Sequence, residues 1–178
     1  MLLGVIVAVK GYLDSTAPRI GGSVSVESYP LLLGLELTKS DLVVGENLTF
    51  RLTLTNLSNQ SVQIEYPQRL YQSDYGLQRF GFVFLYENGT ELVRRSGGGP
   101  TWGWNLVLSP NEVVSQEFHW DQRFMLEGDY NIRTPPPQVP AGVYMLKGCV
   151  PSGRDSIIVN GGDRIRIETP SITFRIGS

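Results

Sequence analysis

The 178-residue chain has one cysteine, Cys149, and one histidine, His119. A single thiol closes no intrachain disulfide, and one imidazole beside it does not make a structural zinc site. The cysteine count leaves the compartment open, because a chain of this length buries roughly 70% of its unfolded surface and can dispense with staples. Charge is scarce as well. Charged residues make up 18% of the chain, three lysines stand against twelve arginines, and the net charge is −2. That balance offers no electrostatic footprint for nucleic acid. The opening apolar run, Met1–Val9, has nine residues, where a membrane-spanning helix needs about 20. No window holds three-to-four spacing between caps at both ends, so no helix is expected.

What the chain does contain is a succession of strand signals. Apolar residues reach 41%, too many for a disordered chain of low charge, and they fall in short runs divided by turn residues. Leu48–Thr55 alternates strictly, with Leu48, Phe50, Leu52 and Leu54 on one face and Thr49, Arg51, Thr53 and Thr55 on the other. This is the pattern of a half-buried antiparallel strand. Strands are also expected at Leu31–Leu37, Val62–Tyr66, Phe80–Tyr86, Glu91–Arg95, Val113–Trp120, Val143–Gly148, Arg164–Glu168 and Ile172–Ile176. Val44–Asn47 and Asn56–Ser61 supply turn chemistry, and Asn88-Gly89 between two β-prone runs predicts a hairpin. Strands at about 8 to 12-residue spacing without internal repeats predict an all-β fold, an immunoglobulin-like antiparallel β-sandwich with Greek-key connections. A jelly roll is the second architecture.

Two segments are expected: residues 1–30, an apolar N-terminal strand and a flexible linker, and residues 31–178, the sandwich. The linker is rich in glycine, serine and proline and carries one short strand, Ser23–Val26. The β-branched Val5, Ile6, Val7 and Val9 favour a strand for the apolar start. Three readings of it stay open: the remnant of a secretory signal, although basic residues and a small-x-small cleavage site are not evident; a core strand; or a donor strand that completes a neighbouring molecule.

Four landmarks follow one another in a fixed order. They are Thr55-Asn56-Leu57-Ser58 with Val62; Phe82-Val83-Phe84-Leu85-Tyr86-Glu87-Asn88-Gly89; Leu108-Ser109-Pro110-Asn111-Glu112 leading to Phe118-His119-Trp120-Asp121-Gln122; and Pro140-Ala141-Gly142-Val143-Tyr144. Over a little more than half of the chain, from about Leu48 to Tyr144, this order resembles the BsuPI family of intracellular proteinase inhibitor domains. Two departures stand out: Asn111 where the family favours glycine, which left-handed backbone tolerates, and the long Arg123–Val139 insertion with Pro135-Pro136-Pro137. The resemblance implies an immunoglobulin-like sandwich and, as one function, a soluble inhibitor with a protease as partner and a cytoplasmic location.

Catalytic chemistry finds few residues to work with. Serine-type catalysis needs a base, and His119 is the one imidazole; alternation turns it to solvent, away from Phe118 and Trp120. Cys149 has no adjacent base. Glu127 and Asp129 flank Gly128 in a solvated turn, and Gly97-Gly98-Gly99 is followed by neither Gly-Lys-Ser/Thr nor a helix. No enzyme, cofactor or metal is expected. Trp102 and Trp104 beside this glycine run form either a platform for a partner or sugar, or plugs for one end of the sandwich.

Four acceptor triplets for N-linked glycans begin at Asn47, Asn56, Asn59 and Asn88, all in or beside expected turns. Eight asparagines and 25 serines and threonines would give about one such triplet by chance. The excess points to an extracellular or cell-surface protein. Its expected role is a structural or adhesive subunit that assembles into filaments, Val5, Ile6, Val7 and Val9 of one copy adding a strand to its neighbour. The alternatives are the proteinase inhibitor and a cell-surface ligand-binding module.

Overall fold

A computed structural model describes residues 21–66, 80–95, 104–123, 137–151 and 156–177. Among the described residues there are fourteen strands and no helix: β1 (Gly22–Ser28), β2 (Leu31–Leu37), β3 (Asp41–Val43), β4 (Leu48–Asn56), β5 (Val62–Tyr66), β6 (Gly81–Tyr86), β7 (Glu91–Arg95), β8 (Trp104–Leu108), β9 (Val113–Trp120), β10 (Gly142–Val150), β11 (Ile157–Val159), β12 (Arg164–Ile165), β13 (Ile167–Glu168) and β14 (Ile172–Gly177). The first sheet runs β1-β2-β4-β9. The second runs β3-β14-β10-β6-β7, with β13 beside β10, and the third runs β12-β11-β5-β8. Only β3 and β14 pair in parallel among these neighbours. The chain leaves the first sheet after β2, joins the second as β3, returns as β4, and later crosses from β9 to β10 between β6 and β14. This is an all-β, immunoglobulin-like sandwich with Greek-key connections.

Side-chain alternation decides what lies inside. Leu31, Leu33, Leu35 and Leu37 of β2 and Leu48, Phe50, Leu52 and Leu54 of β4 are buried, as period-two patterning requires. The two large sheets meet on aromatic rings. Phe50 lies edge-on to Phe82 at 4.9 Å and to Phe84 at 5.9 Å between centroids. Trp120 stacks on Phe84 at 4.0 Å, and Phe174 meets both edge-on. Such pairs add about 0.5–1.5 kcal/mol each beyond the area they bury. The third sheet adds Val62, Ile64, Leu108 and Ile157 to the same core.

The structure differs from the sequence reading in four places. Residues 22–30 are not a free linker: β1 is longer than Ser23–Val26 and pairs with β2 from Gly22↔Leu37 to Ser28↔Leu31. The three-residue β3 and β11 carry too little sequence to show periodicity. Trp104, placed at the end of an irregular glycine loop, opens β8 opposite Tyr66. Arg164–Glu168 is two strands, β12 in the third sheet and β13 in the second. The Asn88-Gly89 hairpin does form, but as a wider turn: Gly89 N–H donates to the Tyr86 carbonyl at 2.9 Å, and Tyr86 N–H to the Thr90 carbonyl at 2.8 Å. Gly89 at φ +82° makes it a bulged turn.

The sheets approach closely at Gly148 of β10, where a Cβ would strike the side chain of Leu52, itself fully buried. Gly148→Ala should cost about 1–3 kcal/mol in urea unfolding. Leu52→Val in the same chain should recover part of that loss; strictly additive losses would mean that the two sites do not touch.

Candidate functional site

The sequence landmarks converge on buried polar anchors. Asn56, at the end of β4, is fully buried. Its Nδ2 donates to the carbonyls of Gln60 (2.7 Å), Leu108 (3.0 Å) and Ser109 (3.0 Å), and its Oδ1 accepts from the Ser58 N–H and Oγ. Its backbone closes on the β8–β9 turn: Asn56 N–H to Glu112 and Asn111 N–H to Asn56. Asn111 sits at φ +60°, the left-handed geometry expected of it. Gln122, also fully buried, accepts from Gly45 N–H at 2.9 Å and donates to the carbonyls of Val43 and Glu46 at 2.9 and 2.6 Å. Tyr144 donates its hydroxyl to the Pro140 carbonyl at 2.6 Å, a tyrosine corner at the entry of β10. Burial pushes the Tyr144 phenol up, and the neighbouring Tyr86 adds to it.

Charge gathers on the outer face of the first sheet. Register sets Ser23, Glu36, Arg51 and Glu117 in one row across four strands. Arg51 Nη2 is 3.4 Å from Glu117 Oε2, His119 Nε2 is 3.5 Å from Glu117 Oε1, and His119 Nδ1 is 2.9 Å from the Thr49 hydroxyl. A hydroxyl, an imidazole and a carboxylate are the parts of a nucleophile relay. Such a relay needs excluded water and donors aimed at a developing oxyanion, whereas the His119 side chain is 61% exposed on an open sheet face. The arrangement orients an imidazole at a polar surface. Among the described residues no group of three or more His, Cys, Asp or Glu could hold a metal ion, and no helix is long and apolar enough to cross a membrane.

An open groove of about 560 Å³ lies where the β6–β7 turn meets the start of β10, lined by Tyr86, Glu87, Asn88, Val143, Tyr144 and the Pro140–Gly142 backbone. Asn47, Asn59 and Asn88 are exposed. Asn56 is not available as a glycan acceptor in the folded chain, because the Nδ2 that would be modified is buried and bonded to three carbonyls. Val5, Ile6, Val7, Val9, Trp102, Glu127, Asp129 and Gly97–Gly99 lie outside the described residues. Cys149 is buried. In sequence Asn56 reads as a turn residue and a glycan acceptor, and Gln122 has no role of its own; the clue to more is that each falls within a resemblance landmark.

No family model matches the chain, and no curated protein does. In structure it is similar to a β-glucosidase from Listeria innocua in complex with glucose, at 14% identity and TM-score 0.38, covering 86% of this chain and 17% of that one. It is also similar to the C-terminal domain of wzt (11%, TM-score 0.38, 81% of this chain and 74% of that one). A structural-genomics target is a third (10%, TM-score 0.41, 84% and 89%). The chain thus spans 17% of the glucosidase's length. Likeness at this level carries no argument about function.

Two substitutions test the anchors. Asn56→Asp keeps the shape but removes both N–H donors, so three carbonyls face a buried carboxylate, and it should cost about 3 kcal/mol or more; a loss under about 1 kcal/mol would show that the turns register without it. At the other end of the sandwich, Lys39 Nζ donates to Glu46 Oε1 at 2.6 Å and Val43 N–H to Oε2 at 3.1 Å. Together, Lys39 first, they hold the Glu46 carboxyl below its ordinary 4.5. A depressed carboxyl stabilises the fold above its unfolded-chain value and loses that contribution as pH falls through the folded one. Glu46→Gln should therefore weaken the protein at neutral pH, by less than about 1 kcal/mol because the pair is partly exposed. Urea titrations should show the gap closing below about pH 4.

Proposed function

We propose that the protein is a non-enzymatic extracellular structural or adhesive module that joins copies of itself by strand addition. The apolar run around Val5, Ile6, Val7 and Val9 of one copy pairs with an open edge of the first sheet of the next. One observation carries this reading: among the described residues β1 has only β2 beside it and β9 only β4, leaving open edges of seven and eight residues. Inner-facing Val24 and Val26 of β1, and Val114 and Gln116 in the first half of β9, are half-buried, whereas Phe118 and Trp120 further along β9 and the inner residues of β2 and β4 are buried. A strand laid along either edge would cover them and pair the row of free backbone groups.

The position between β10 and β3 is held by the chain's own β14. An incoming strand therefore extends the first sheet; it does not replace a missing core strand. Donor and acceptor surfaces differ, so the contact is head-to-tail and propagates into a filament. The exposed Asn47, Asn59 and Asn88 support the extracellular setting.

Sedimentation of the full chain should show concentration-dependent association. A chain beginning at Gly21, one residue before β1, should remain monomeric and bind a synthetic Leu2–Lys10 peptide. Equal sedimentation of the two chains, with no peptide binding, would overturn the reading.

A further inference from the structure

We propose that Asn88 is the glycan acceptor of this chain and that the first sugar seats in the groove beside it, its apolar face on the Tyr86 ring. The proposal rests on the extracellular reading and deepens it. The four acceptor triplets are not equivalent once folded. Asn56 is buried with its Nδ2 fully used. Asn47 is exposed, but its triplet continues through fully buried Leu48 to Thr49, whose hydroxyl is held by His119 Nδ1 at 2.9 Å. Asn59 shares the tight Asn56–Gln60 turn, where Gln60 N–H and its carbonyl both bond to Ser58.

Asn88, Gly89 and Thr90 are all exposed at a hairpin tip. Asn88 Oδ1 accepts the Thr90 N–H at 2.9 Å, which fixes the side chain and leaves Nδ2 without a hydrogen bond among the described residues. Gly89 at φ +82° and the paired Tyr86–Thr90 and Gly89–Tyr86 backbone bonds hold the turn rigid. Tyr86, two residues earlier, lines the same groove as Asn88. The Tyr86 ring is half-buried, its centroid 6.1 Å from that of Tyr144. The groove is open on one side, as a seat for a single sugar joined to the adjacent Asn88 requires. A pyranose has an apolar C–H face that packs on an aromatic ring, and here that ring is pre-ordered by its core contacts.

The donor is an oligosaccharide joined through its anomeric carbon to a lipid phosphate or pyrophosphate, delivered by a membrane transferase. The Asn88 Nδ2–C1 bond forms as the C1–O bond to the lipid phosphate breaks. The lipid phosphate departs with the bonding pair, and one Nδ2 proton passes to the transferase's base.

The full chain, secreted behind a leader from a yeast that performs N-glycosylation, is mapped peptide by peptide for occupancy. Thermal unfolding is then compared between the glycosylated protein and Asn88→Gln, each with Tyr86 intact and with Tyr86→Leu or Tyr86→Ala. Asn88 should be the most fully occupied acceptor and Asn56 empty, and the glycan should raise the melting temperature only where Tyr86 is present. Tyr86→Leu keeps an apolar filler should Tyr86→Ala not fold. An empty Asn88 beside an occupied Asn47 or Asn59 overturns the site, and an equal glycan effect with and without Tyr86 overturns the seat. Secretion is imposed in this experiment, so an occupied Asn88 together with a bare-polypeptide mass for native material would overturn the extracellular placement and leave the site standing.

Discussion

The buried side-chain amide of Asn56 is the contact on which the three-sheet arrangement depends. The chain passes from the first sheet to the third at the end of β4 and comes back at the start of β9, and both crossings lie against this one residue. An amide suits the place because it carries donors and an acceptor on one planar group. Three carbonyls at the end of β8 and in the β4–β5 turn accept from its N–H groups, while the Ser58 N–H and Oγ donate to its oxygen. A hydroxyl has a single donor, and a carboxylate would set buried charge against carbonyl oxygens. Leu54 and Leu108 nearby are buried, so an unmet bond there would find no solvent substitute.

Gln122 repeats the device at the opposite end of β4, fastening the turn that carries the chain from β3 back to the first sheet. Between these two amides the interface is apolar, and its aromatic rings set the spacing of the sheets. Gly148 fits that spacing because any larger residue would meet Leu52. Polar anchors therefore fix where the chain changes sheet, and aromatic packing fixes how close the sheets lie. Neither device reaches β1, whereas β9 takes part in both, through Trp120 against Phe84 and through the Asn56 bonds at its entrance.

Much of this was legible in the sequence where periodicity had room to repeat. Leu48–Asn56 showed its alternation over a full strand and folded accordingly. Asn88-Gly89 marked its hairpin, although the wider bulged turn depends on hydrogen bonds that the dipeptide alone does not specify. Three-residue strands such as Asp41–Val43 and Ile157–Val159 complete barely one period, so only their neighbours define them. The strand expected at Ser23–Val26 within the linker runs longer, from Gly22 to Ser28, because glycine and serine at its ends express local preferences that pairing with β2 overrides. In the structure Val24 and Val26 earn a place through packing against the core beside β2. The anchors were visible as residues but not as anchors, since Asn56 and its partners Leu108 and Ser109 lie 52 and 53 positions apart. The exposed acceptor triplets could not be separated from Asn56 without burial.

The two proposed surfaces constrain each other. Strand addition uses the flanks of the first sheet, whereas the Asn88 hairpin belongs to the second, where β6 pairs with β10 and β7 forms the far edge. A glycan at Asn88 leaves β1 and β9 open. Asn59 stands on the turn whose anchor, Asn56, is bonded to Asn111 and Glu112 at the entrance to β9. On the proposed strand addition, modification at Asn88 is therefore compatible with an added strand on the first sheet. Burial meanwhile removes Asn56 as an acceptor, so a side chain whose main task is to register the sheets also decides which of the acceptor triplets stays open in the folded chain.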